Sequence, residues 1–234
     1  MALSLLRVTP RPSLPLRDLP QPARLGPVLA VPGAAALGLM WLARAGGARE
    51  ALLAPLLAIA LMSAGMIGAA LAGRLRAGFA LALASAAVLA ALAYGLGLAQ
   101  RIDLDRAALA FVLAAISFAA RGALFARSAG ARGWWIALAV VAGEGALLIT
   151  AAFEPGALPG WLMALLPAQW ASSAILAALG GTEAPIAGAA LLALAGTAAA
   201  TRLVERCWPA RWPYGVMLAT WLGCSAIVGL SAPR

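Results

Sequence analysis

Residues 154–184 read EPGALPGWLMALLPAQWASSAILAALGGTEA, and whether this stretch crosses a bilayer decides the architecture. Trp161 to Leu179 is apolar and long enough to span. A helix needs roughly 20 apolar residues to cross a hydrocarbon core of about 30 Å. Pro155, Pro159 and Pro167 argue against one continuous helix, since an internal proline removes a hydrogen bond and clashes with the preceding turn. Gln169, Ser172 and Ser173 add polarity inside the run. The stretch is either a span or an outer re-entrant or interfacial hairpin.

On either side of it the chain is a series of less ambiguous apolar runs: 26–43, 51–73, 77–99, 107–126 and 133–153 before, 185–204 and 212–230 after. Ala and Leu dominate them, both good helix formers. Hydrophobic residues make up 64% of the chain and charged residues 11%, and mean hydropathy is +0.96. A soluble domain carries about a quarter charged residues, so the solvent implied for this surface is lipid. Short connections make successive helices antiparallel neighbours. Trp41, Trp134, Trp135, Trp208 and Trp212 lie at run ends, where an interfacial belt places them.

The arginines choose between seven spans and eight. All 17 basic residues are arginine, mostly flanking the runs, and the cytoplasmic side of a membrane protein carries the excess. With the N-terminus inside and 154–184 returning to the outer face, Arg202, Arg206 and Arg211 join the cytoplasmic set. With 154–184 crossing, they fall outside and the bias weakens. The expected architecture is all-α: a polytopic transmembrane bundle of seven spans, alternatively eight, with an outer hairpin at 154–184. Residues 1–25, broken by Pro10, Pro12, Pro15, Pro20 and Pro22, read as a Pro/Arg-rich cytoplasmic arm. Residues 26–230 read as one membrane domain. The Ala, Gly and Arg bias, without Lys or Asn, is that of a GC-rich bacterial genome, so the expected location is a bacterial inner membrane.

Composition excludes several chemistries. There is no histidine, so no His-ligated metal or haem and no Ser-His or Cys-His pair. Without lysine there is no Schiff base. Cys207 and Cys224 are too far apart for a CxxC motif. The net charge of +9 is spread over span ends rather than gathered for nucleic acid. No catalytic constellation, metal site or cofactor is expected.

Residues 133–206 carry a resemblance. A fifth span is followed by Glu154-Pro155-Gly156-Ala157-Leu158-Pro159-Gly160-Trp161-Leu162, then Leu166-Pro167 with Trp170, then Ala177-Ala178-Leu179-Gly180-Gly181. A sixth span ends in Arg202 and Arg206. This resembles the end of the permease domain of type-two ATP-binding-cassette exporters, which has an outer pair of short re-entrant helices between its fifth and sixth helices. The resemblance covers about a third of the chain. It implies a permease that dimerises, works with a cytoplasmic ATPase and exports lipids, glycans, drugs or peptides. It singles out Pro159, Trp161, Pro167, Gln169 and Trp170 as hairpin residues. The run 212–230 has no counterpart in that family, the 74–76 loop is very short for coupling to an ATPase, and the Pro-rich arm stands where the family has an amphipathic helix.

Two residues stand out within the spans. Glu144, flanked by Gly143 and Gly145, lies roughly 18 Å from Arg132 along a helix, near the bilayer centre. An ionised carboxylate there is costly, so it should face the bundle interior and be either paired or protonated. It is either a proton, cation or substrate contact, or a packing partner for an arginine or hydroxyl such as Ser117. The flanking glycines are expected to admit a neighbouring backbone. Arg121 on the preceding span either reaches Glu144 or snorkels to the headgroups, the plainer outcome. Gly65, Ala69 and Gly73, beside Ala64, Gly68 and Ala72, form a small-residue face suited to tight helix contact or to a homodimer. Asp103 and Asp105 read as an outer loop neutralised by Arg101 and Arg106. Three function classes stay open. The expected one is a permease-like subunit acting with a partner on a hydrophobic or amphipathic substrate. The others are a structural or assembly subunit of a larger membrane complex, and a lipid-modifying enzyme.

Overall fold

The computed structural model describes residues 21–45, 50–99, 103–180 and 184–231. Among them the chain is all-helical: α1 Gln21–Ala45, α2 Leu53–Ala72, α3 Leu75–Gly95, α4 Leu104–Ala129, α5 Gly133–Phe153, α6 Gly160–Ala164, α7 Pro167–Ala178, α8 Ala184–Cys207 and α9 Trp212–Ser231. Residues 1–20 of the expected arm lie outside the described residues. Residues 21–25, placed in the arm from sequence, belong to α1.

Among the described residues, five stretches are long and apolar enough to cross a membrane: Leu53–Ala72, Leu75–Gly95, Leu104–Phe153, Ile186–Cys207 and Trp212–Ser231. The third has 50 residues, about 75 Å if straight, and a 3₁₀ turn at Gly130–Arg132 divides it into α4 and α5. By length and composition these helices make a membrane-embedded, multi-pass chain. Leu37, Val88, Leu109, Leu192, Leu222 and Leu230 are exposed on the outside of the bundle, where lipid rather than water would meet them.

α2 is the central helix. It packs on α1, α3, α4, α5 and α7, and its residues are almost all buried. Lipid is as apolar as leucine, so helices in a bilayer gain little from hydrophobic transfer and associate through close packing. The small-residue face of α2 supplies it. A Cβ added at Gly78 of α3 would lie 2.3 Å from the Gly65 carbonyl oxygen, and one at Gly122 of α4 would lie 2.1 Å from the Met66 carbonyl oxygen. Three backbones therefore touch along α2. Gly65 and Ala69 are spent inside the chain, not on an outer surface. Gly73 does a different job: it ends α2 at φ 63°, a conformation glycine adopts without strain.

Residues 154–180 form a hairpin within the bundle. α6 has 5 residues and α7 has 12, about 18 Å at most, so neither can cross alone. The break falls at Leu165–Leu166, just before Pro167, where a proline was expected to interrupt the helix. Two contacts fix the path. The N–H of Ala168 donates to Glu144 Oε2 at 2.9 Å, about 13 Å down α5 from Phe153. The N–H of Asp103 donates to the Ala178 carbonyl at 3.0 Å, beside the start of α4. The hairpin enters at the end where α5 finishes, reaches the middle and returns to the same end. α7 is no surface appendage: Trp170 and Ile175 are fully buried.

Candidate functional site

A hairpin tip buried within an apolar bundle holds backbone N–H and C=O groups that water does not reach. Each one left unpaired there costs several kcal/mol. The tip accounts for all of its own. Leu165 and Leu166 donate to the carbonyls of Leu162 and Met163, and Gln169 and Trp170 donate to the Leu166 carbonyl. Pro167, at the first position of α7, has no N–H to satisfy. Three side chains complete the set. Glu144 takes the Ala168 N–H. The Trp170 indole N–H donates to the Ala164 carbonyl at 2.8 Å, and that of Trp221, from α9, to the Leu165 carbonyl at 3.1 Å. Glu144 is thus the cap of a helix that begins inside the bundle, where the positive end of the helix dipole favours a carboxylate.

Arg121 faces inward and does not snorkel. Its Nη1 lies 4.0 Å from Glu144 Oε1, and its Nη2 donates to Ser117 Oγ at 3.4 Å. The guanidinium also lies over the Phe118 ring, 5.6 Å from its centroid. Ser117 in turn meets Thr197 Oγ1 of α8 at 3.4 Å, while Thr197 donates to the Ala193 carbonyl at 2.8 Å. A polar line therefore runs from α5 through α4 to α8. The glycines beside Glu144 behave differently from expectation. A Cβ at Gly143 meets nothing within 4 Å, and one at Gly145 meets only Ile59 at ordinary contact distance. No backbone approaches there; the close approaches belong to Gly78 and Gly122.

Beneath the hairpin tip lies a cleft of about 450 Å³, within the range of small-molecule sites. α4 and α5 contribute Arg121 and Glu144, the tip Leu165 and Leu166, and α8 and α9 Thr197 and Met217. Leu218, half exposed, also lines it and stands at its mouth. Thr201 and Trp221 line it as well, and the rest of the wall is apolar.

Of the hairpin residues singled out from sequence, Pro167 and Trp170 sit at this tip. Pro159 precedes α6, Trp161 is 67% exposed, and Gln169 bonds to Ser173 on its own helix; none of these three joins the polar group. Asp103 caps α4 through the Arg106 N–H and pairs with the Arg106 side chain; Arg101 lies outside the described residues. Trp221 and Thr197 were not anticipated. Trp221 had a signal: it sits mid-span, away from the run ends that hold most other tryptophans. Thr197 had none, because its partner is 80 residues away. Comparison with protein-family models, with characterised proteins and with solved structures finds no match.

Proposed function

We propose that this chain is a permease-like subunit of a bacterial inner membrane, with seven crossings and a cytoplasmic N-terminus. It takes a hydrophobic or amphipathic molecule from the bilayer into the cleft beneath the hairpin and acts with a partner subunit. The observation that carries this reading is the cleft itself, an apolar space holding an ion pair deep in a membrane-type bundle. Ionisable groups at such depth mark substrate or ion paths more often than packing alone requires. The short helices α6 and α7 between the fifth and sixth long helices also support it, since the type-two exporter permeases have such a pair there.

The cleft is tested by native mass spectrometry of the protein released from its own membrane. Wild type should retain a bound amphiphile, and Leu218→Trp, which narrows the mouth at a half-exposed position, should lose it. Equal retention by both would remove the cleft from the function. The crossings are tested by cysteine labelling, with Cys207 and Cys224 first replaced by alanine. Ala157→Cys and Leu179→Cys should react from the periplasm and Ser128→Cys from the cytoplasm. Reaction of Leu179→Cys from the cytoplasm alone would restore eight crossings.

A further inference from the structure

Among the described residues that line the cleft, one group has hydrogen-bond donors to spare. Thr197 and Thr201 both spend their hydroxyl hydrogens on their own helix, at 2.8 Å to the Ala193 carbonyl and 2.7 Å to the Thr197 carbonyl. The Trp221 indole N–H is taken by Leu165. Glu144, as a carboxylate, only accepts. Arg121 carries five N–H donors in a planar fork. Among the described residues its polar contacts are the 4.0 Å approach to Glu144 and the 3.4 Å bond to Ser117. The first is too long for a hydrogen bond and the second is weak. Glu144 has turned its other oxygen to the Ala168 N–H at 2.9 Å. Cap and cation therefore share a wall without closing on each other, and the cation is left under-partnered among leucines.

We propose that the cleft binds an amphiphile with a single anionic head, a carboxylate or a phosphate monoester, placed on the Arg121 guanidinium. The alkyl tail lies along Leu162, Leu165 and Leu166 and leaves past Leu218 into the bilayer. A guanidinium matches both kinds of head with paired N–H donors. A sugar or polyol head finds no comparable array, because the threonine and tryptophan donors are already used. This rests on the reading of the cleft as a substrate site and supplies the substrate class.

The test is equilibrium binding of radiolabelled palmitate to the full chain in phosphatidylcholine nanodiscs, with empty nanodiscs subtracted. Saturable binding is expected, with displacement by hexadecyl phosphate. Hexadecanol should be weaker by about tenfold or more, and inorganic phosphate should not displace. Arg121→Gln should weaken palmitate by a similar factor and leave hexadecanol unchanged. Should that variant fail to fold, the comparison of palmitate with hexadecanol on wild type decides alone. Equal binding of the two, both lost in Leu218→Trp, overturns the anionic head and leaves the cleft reading standing. Displacement by inorganic phosphate overturns the amphiphile in favour of a simple anion. Absence of binding, or binding that Leu218→Trp does not touch, overturns the substrate class and the cleft reading together.

Discussion

Glu144→Leu is expected to destabilise the folded protein by about 3–5 kcal/mol, the usual cost of removing one partner from a buried charged pair. Two groups lose their partner at once. The Ala168 N–H, bonded to Glu144 at 2.9 Å, is left facing a hydrocarbon side chain at the start of α7. Arg121 loses the carboxylate that, among the described residues, lies near it. Glu144→Gln keeps an oxygen for the Ala168 N–H but leaves Arg121 facing a neutral amide, so its cost should be smaller than that of leucine, about 1–3 kcal/mol. Adding Arg121→Met to Glu144→Leu should recover part of the loss, since no cation then remains stranded. Unfolding in detergent, followed by circular dichroism, measures all three. A leucine variant within about 1 kcal/mol of wild type would mean that α7 does not depend on this cap. A glutamine variant as damaged as leucine would place the requirement on the charge instead of on the hydrogen bond.

Gly122→Ala is expected to be nearly as severe, although it adds one methyl group. That methyl would sit 2.1 Å from the Met66 carbonyl oxygen and 2.9 Å from its Cα. The obstacle is backbone, which cannot rotate aside, so α4 must move away from the central helix. Overpacking of this kind costs about 1–3 kcal/mol and sometimes more, and Gly122→Leu should abolish detergent-stable protein. Gly143→Ala is the matched control, also a glycine within a helix and beside the ion pair. Its Cβ would meet nothing within 4 Å, so the helix-propensity gain of up to about 1 kcal/mol should appear unopposed. If the two alanine variants unfold together, the α2–α4 contact is looser than the geometry describes.

Both predictions rest on features that the sequence displayed without explaining. Glu144 is conspicuous as a carboxylate deep in an apolar run, and Arg121 is within plausible reach on the adjacent helix. That pairing was readable because α4 and α5 are joined by a short turn, which makes them neighbours whatever the rest of the chain does. The partner that Glu144 holds most closely was not readable. It is a backbone N–H, and every residue except proline has one. Which of them points at a carboxylate depends on where the hairpin tip comes to rest between α2, α4 and α8. The Gly143–Glu144–Gly145 motif misled for a related reason. Glycines beside a functional residue suggest close backbone approach, yet whether anything approaches is set by the neighbouring helix, and here the nearest atoms to a Cβ at Gly145 are those of the Ile59 side chain, at 3.6 Å or more.

By itself the sequence determined what most segments are: apolar helices of membrane-spanning length, proline breaks within 154–184 that leave a span and a hairpin both open, and a chain without histidine or lysine. Those are properties of a stretch of twenty or so residues and its solvent, so local hydropathy, length and proline placement are enough to read them. Only the tertiary structure decided how the segments combine. It made α2 the centre, put the critical glycines on α3 and α4, and returned α7 to the end where α5 leaves off. It also turned Glu144 into the cap of a helix starting inside the bundle. These depend on contacts between residues far apart in the chain. In lipid such contacts are chosen by backbone fit and by the need to pair every polar group, neither of which is written in the hydropathy of any one segment.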